Sequence, residues 1–303
     1  MAISSVGMNA PFGRVLTAMV TPFTADGAAI DLDAAARLAL SLVEQGNDGL
    51  VLSGTTGEAP TTSDEEKDAL LRAVVEAVGD RATVVAGVGT NDTAHTVELA
   101  RHAEKCGAAG LLVVTPYYSK PSQAGLVQHF GAVADATGLP VMLYDIPGRA
   151  GVPIATESLL RLAEHPQIVA VKDAKGDLFA TSGVLAATDL AYYCGEDALN
   201  LPMLAIGAVG IVSVVAHVCA QRYAQMVSAV ASGDLETARA VNATLLPAVR
   251  GIMTRIQGAA AAKAALEMLG TTRNRSTRLP LLAATDDEVD VLRADLVAAG
   301  VLS

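Results

Sequence analysis

Ile168-Val169-Ala170-Val171-Lys172-Asp173-Ala174 is a β-branched run that ends on a lysine. Apolar residues of strand propensity predict a buried strand, and a charge at its end is out of place there. An ammonium in that position must reach solvent, pair with an acid or give up its proton. A lysine that gives up its proton is a nucleophile for carbonyl compounds. Taken alone, Lys172 also reads as a strand-end lysine leaving the core for water. Tyr144 closes a second apolar run, Pro140–Tyr144, where a phenol can pass protons to and from a carbinolamine or simply pack with its hydroxyl satisfied. Arg149 follows in a Pro-Gly-Arg turn that presents a guanidinium suited to a carboxylate, or a solvated surface charge. Gly54-Thr55-Thr56-Gly57 offers hydroxyls and turn-exposed N–H groups, which can cradle a carboxylate without a cation. Tyr117-Tyr118 suits a loop that buries aromatic area between subunits.

These residues need a scaffold that gathers strand ends. Short apolar runs at Arg14–Val20, Gly49–Leu52, Thr83–Val88, Gly110–Val114, Pro140–Tyr144, Ile168–Lys172, Ala191–Cys194 and Val209–Val214 alternate with amphipathic stretches. Among the latter, Ser63-Asp64-Glu65-Glu66 forms a capping box before a helix to Val78. Continuous apolar strands separated by helices predict an α/β protein with a parallel sheet, and about eight such units predict a (β/α)8 TIM barrel. A doubly wound sheet would usually carry a glycine-rich loop after its first strand, and Val20-Thr21-Pro22-Phe23 is not one. The barrel is expected over 1–233. Helices Asp234–Val249, Gly258–Leu269 and Asp286–Ala299 are expected to form a helical C-terminal subdomain, 234–303, packed on it. Active sites of such barrels lie at the C-terminal strand ends, where Lys172, Tyr144, Arg149 and the Thr55-Thr56 loop all fall. With side chains alternating at period two, Ile168, Ala170 and Lys172 share one face, and Lys172 stands over the core if that face meets the axis.

Composition narrows the partners. Thirty-two acids against 21 bases give a net charge of −11 in 303 residues, without a basic stripe, so nucleic acid is not expected. The apolar runs are too short to cross a bilayer. Met1 to Pro11 lacks basic residues and an apolar h-region, which predicts no signal peptide. Cys106, Cys194 and Cys219 are widely spaced, odd in number and without a CxxC, as expected of a reducing, cytoplasmic setting. The strand ends lack the His and carboxylate clusters a metal would need, so neither metal nor cofactor is expected. The five histidines are scattered and read as surface or packing residues.

Taken together, Gly54-Thr55-Thr56-Gly57-Glu58, Thr115-Pro116-Tyr117-Tyr118-Ser119-Lys120-Pro121-Ser122-Gln123, Tyr144-Asp145-Ile146-Pro147-Gly148-Arg149 and Val171-Lys172-Asp173 resemble the motifs of the dihydrodipicolinate synthase family, in its order and spacing. The resemblance spans nearly the whole chain. It implies a lyase of lysine biosynthesis that condenses pyruvate, held as a Schiff base on Lys172, with L-aspartate 4-semialdehyde. It further implies a proton relay of Thr55, Tyr144 and Tyr118, with Tyr118 reaching the neighbouring subunit's site across a tight dimer. Thr56 would carry the pyruvate carboxylate and Arg149 that of the semialdehyde, while Gly195 and Val212 match backbone and lining positions. A homotetramer built from tight dimers is implied as well.

Two related readings compete. N-acetylneuraminate lyase and 2-keto-3-deoxy sugar acid aldolases share the lysine, the tyrosine and pyruvate. Arg149 favours a short acidic aldehyde over a polyhydroxy chain, and the Thr55-Thr56 pair also favours the synthase. A non-catalytic binding barrel would have no reason to keep these residues at converging strand ends. Glu196 and Asp145 stand where many family members have Asp and Asn, changes expected to leave the reaction intact. Members inhibited by lysine tend to carry an acid at the place of His95 and a histidine at that of Lys67. Two cations there would repel an amino-acid ammonium, which predicts weak or absent lysine feedback.

Overall fold

The computed structural model describes residues 9–303; the expectation drawn over Met1 to Pro11 therefore lies, for residues 1–8, outside the described residues. Eight parallel strands pair in sequence order and close on themselves: β1 Val15–Ala18, β2 Gly49–Leu52, β3 Thr83–Gly87, β4 Gly110–Val114, β5 Val141–Asp145, β6 Ile168–Asp173, β7 Ala191–Cys194 and β8 Gly210–Ser213. Closure is made by β8 against β1, with Leu16 opposite Val212. The expected TIM barrel is thus the fold.

Period-two alternation sorts the strand residues into two cores. Leu16, Val51, Leu112, Met142, Ala170 and Tyr193 fill the barrel interior. Their neighbours along each strand, such as Val15, Leu50, Leu111 and Val171, pack outward against the helices. Phe12 plugs the floor, fully buried, and its N–H donates to the Tyr193 hydroxyl at 3.2 Å. One part of the alternation expected for β6 fails. Ile168 packs in the outer core and Ala170 in the inner one, because the pairing slips: Val141 faces Ile168 while Met142 faces Ala170. The irregularity takes up one residue and resets the phase before Lys172.

Helix boundaries follow local chemistry. Ser63 and Glu66 close the expected capping box at Asp64–Val78, with Ser63 Oγ accepting from the Glu66 N–H and the Glu66 carboxylate from that of Ser63. After β8 come Ala216–Ala231, then the tail helices Leu235–Thr254, Gly258–Met268 and Asp286–Ala298. Ala238, Leu245, Ala248, Leu292 and Leu296 of the tail join the same outer core as the barrel's own helices. No helix of the described residues is long and apolar enough to cross a membrane.

One histidine couples the barrel's seam to pH. His217, wholly buried, accepts the Val20 N–H at Nε2 (3.1 Å) and donates from Nδ1 to the Val214 carbonyl (2.7 Å), which fixes it as the neutral tautomer. Burial pushes its pKa down from 6.5 to about 4. The unfolded chain therefore binds this proton first. The stabilisation is complete above 6.5 and is lost as pH falls from 6.5 towards 4, by about 3 kcal/mol. Urea unfolding of the wild type should weaken across that window more steeply than that of His217→Gln. Equal slopes in the two proteins would contradict this coupling.

Candidate active site

Strands β5 and β6 lie side by side with Tyr144 directly opposite Lys172. Lys172 Nζ sits 4.2 Å from the Tyr144 ring centroid, and both residues are only 5 % exposed. On the other flank, the Gly195 N–H donates to the Asp173 carbonyl at 2.7 Å. A Cβ on Gly195 would stand 2.8 Å from Lys172 Cγ and 2.9 Å from Cε, so only glycine leaves room for the lysine stem.

The acids next in sequence face away from this amine and are already engaged. Asp173 accepts from the Lys175 and Gly176 N–H groups and from the Thr181 hydroxyl at 2.6 Å. Asp145 accepts from the Ile154 N–H at 3.1 Å and pairs with Lys175 at 3.2 Å; burial pushes its carboxyl up, against the pull of that ammonium. Among the described residues no carboxylate lies within salt-bridge reach of Lys172, whereas Lys175 and Lys263 each have one. Glu196, half-buried beyond Gly195, has its carboxyl raised by burial and by Asp197, with Arg149 and Lys172 opposing the shift.

The loop after β2 supplies the hydroxyls. Thr55 is half-buried and Thr56 buried, between Ser53 and Glu58, which both take left-handed backbone (φ 51° and 56°). Thr21 anchors the turn by donating to the Gly57 carbonyl at 2.7 Å. Thr55, Tyr144, Arg149, Tyr117 and Tyr118 line a cavity of about 520 Å³. Thr56, Lys172, Gly195 and Val212 are not on its wall; Lys172 adjoins it through the Tyr144 ring. Val212 lies in the inner core on β8, and Arg149 is exposed on the short helix Pro147–Ala150. Tyr118 is 89 % exposed and holds φ at 74°, a conformation costly for a tyrosine.

Lys67 and His95 line the far side of the same cavity, but they are not bare cations. Asp64 stands between them, 2.8 Å from His95 and 3.5 Å from Lys67; burial pushes its carboxyl up, but the hydrogen bond from His95 and the Lys67 ammonium together hold it below its ordinary range. Asp64 escaped the sequence reading because it was absorbed as the first residue of a capped helix. A second omission is Lys263, buried against Glu58. Its signal is a lone charge in the alanine run Gly258–Ala265.

A closed parallel barrel that sets an amine beside a phenol on adjacent strand ends is the architecture of a class I aldolase-type lyase. The model of the dihydrodipicolinate synthetase family matches residues 11–299. The 4-hydroxy-tetrahydrodipicolinate synthase of Kineococcus radiotolerans is 71 % identical over 290 residues, 96 % of this chain and 94 % of that protein. Among solved structures, dihydrodipicolinate synthase of Cyanidioschyzon merolae with lysine bound superposes with a TM-score of 0.93 at 40 % identity, covering 96 % of this chain and 99 % of that one. The Acinetobacter baumannii enzyme complexed with pyruvate gives 0.92 at 33 % identity, covering 96 % and 100 %. The chain belongs to the dihydrodipicolinate synthetase family.

Proposed function

We infer that this protein is a 4-hydroxy-tetrahydrodipicolinate synthase, condensing pyruvate with L-aspartate 4-semialdehyde in the diaminopimelate route to lysine. The observation that carries the mechanism is a buried amine, Lys172, with no carboxylate in salt-bridge reach among the described residues, packed between Tyr144 and Gly195. Its neutral form attacks C2 of pyruvate, and loss of water from the carbinolamine leaves a protonated imine. The imine draws electrons from C3, a methyl proton leaves, and the resulting enamine attacks the aldehyde carbon. The aldehyde oxygen takes up a proton and becomes a hydroxyl. The semialdehyde's amine then attacks C2, closing the ring and expelling the lysine amine. One water is released for each pair of substrates joined.

Tyr144, at the head of the neighbouring strand, moves protons at the carbinolamine with Thr55 and Tyr118. Thr56 holds the pyruvate carboxylate, with Gly195 and Val212 shaping the pocket around it. Arg149, exposed on the cavity wall, receives the carboxylate of the semialdehyde. Tyr118 serves the neighbouring subunit's site in a tight dimer, and two such dimers form a homotetramer in the cytoplasm. Its exposure and left-handed backbone in the single chain support that role. A chain that sediments as a monomer would remove it.

The test of substrate is turnover with pyruvate and L-aspartate 4-semialdehyde, set against cleavage of N-acetylneuraminate and 2-keto-3-deoxy sugar acids. Only the semialdehyde should support rapid turnover. Arg149→Ala should lose about 10- to 100-fold in kcat/KM for the semialdehyde, the worth of a charge-assisted contact, while imine formation with pyruvate changes little. Equal loss in both steps would show that Arg149 has another role.

Lysine feedback is expected to be weak. Since Asp64 already engages the Lys67 ammonium and the His95 ring, an incoming ammonium meets a carboxylate that is already partnered rather than a free acid. Inhibition by sub-millimolar L-lysine in a steady-state assay would refute that expectation.

A further inference from the structure

We propose that Lys263, on the tail helix Gly258–Met268, is a positioning residue that acts through Glu58 on the loop carrying Thr55 and Thr56. The proposal rests on the pyruvate reading above, because it assigns Lys263 an effect on the residues that hold pyruvate.

The connection is short and continuous. Lys263 Nζ donates to Glu58 Oε1 at 2.5 Å and to the Ser276 carbonyl at 2.7 Å, and it lies 4.1 Å above the Phe23 ring. The other Glu58 oxygen accepts the Arg278 N–H at 2.9 Å. Both charged side chains are almost completely buried, 3 % exposed for Lys263 and 1 % for Glu58. From the backbone of Glu58, the N–H returns to the Thr55 carbonyl at 3.2 Å, and the carbonyl accepts the Thr61 N–H at 3.0 Å. The left-handed φ of 56° at Glu58 is what turns the chain back after Thr55 and Thr56. A non-glycine residue keeps that conformation only when its surroundings hold it, and here the tail adds its grip on the side chain to those local backbone bonds.

Packing alone would not call for an ion pair. Two charges taken out of water are often matched or bettered in stability by apolar side chains of similar volume. The pair fixes a direction that an apolar contact would leave loose: the carboxylate of Glu58 must point at the tail, away from the cavity. Arg278 adds a second clamp from the same tail segment, bidentate to Glu66 and bonded to the carbonyls of Thr61, Gly27 and Ala28. The tail thereby sets the seat of the two threonines without touching the cavity.

The experiment compares wild type, Lys263→Met and Lys263→Met/Glu58→Gln by steady-state kinetics, thermal unfolding and borohydride trapping with pyruvate. The single variant leaves a carboxylate buried without its cation and should unfold at lower temperature. The double variant removes that charge and should recover most of the thermal midpoint. If the pair positions the loop, the folded double variant still loses about 10- to 100-fold in kcat/KM for pyruvate, the scale of a sub-ångström to 1 Å misplacement. Its KM for the semialdehyde, handled by Arg149 on the short helix after β5, stays as in wild type. A double variant with wild-type pyruvate kinetics would overturn the proposal and leave the pair a structural one. So would a parallel rise in both KM values. Wild type that traps no pyruvate would instead overturn the functional reading, and this proposal with it.

Discussion

Lys172→Met should abolish condensation, lowering kcat by on the order of 10⁴-fold or more, while the thermal midpoint stays level or rises. The two halves of that result have one cause. Lys172 is 5 % exposed, and among the described residues no carboxylate lies within salt-bridge reach of its Nζ. Its nearest recorded partner among the described residues is the face of Tyr144 at 4.2 Å, a cation–π contact worth about 2 kcal/mol when desolvated. Without a carboxylate partner the Lys172 ammonium makes no ion pair for the fold to lose, and methionine fills nearly the same space without a charge. Catalysis, by contrast, depends on the amine, since the neighbouring Lys175 is held by Asp145 and the methionine thioether cannot form an imine. Circular dichroism melting beside a steady-state assay decides the matter. A variant that melts far below wild type would mark Lys172 as a structural residue. A variant that keeps appreciable activity would remove it from the chemistry.

Tyr144→Phe removes one oxygen and leaves the ring against Lys172. The barrel should be unaffected, because the ring supplies the packing in the inner core. Proton transfer at the carbinolamine should suffer by about 10² to 10⁴-fold in kcat, the usual contribution of a positioned acid–base group. The imine should still form, slowly, so borohydride should trap pyruvate after longer incubation. A loss below about tenfold would mean that the hydroxyl only packs. Failure to trap any adduct, with an intact fold, would mean that Tyr144 holds the lysine in place rather than serving it.

Much of this arrangement is written in local pattern. The eight strands are continuous apolar runs because both faces of a parallel sheet are covered, and each run sits within a residue or two of its strand. Lys172 and Tyr144 announce themselves as polar residues at the ends of such runs, and Arg149 as a cation in the turn just beyond one. Ile168 does not obey the same rule, since a slip in pairing with β5 is a property of two strands and leaves no mark in one. Asp64 and Glu58 were illegible for a related reason. Each has a local role, one in a helix's first turn and one in a glycine-threonine turn, that hides its distant partners. Asp64 meets His95 across 31 positions, and Glu58 meets Lys263 across 205. The relay roles of Thr55 and Tyr118, and the cross-subunit reach of Tyr118, came only from the family resemblance. Nothing in the residues themselves pairs them with a proton.

Lys172, one residue before the end of β6, is expected to form an imine with pyruvate. Incubation with pyruvate, reduction by borohydride and mass mapping of the peptides measures it directly. The expected product is a single reduced pyruvate adduct, on Lys172 and not on the neighbouring Lys175, which is held by Asp145. No adduct, or an adduct on another lysine, would contradict it.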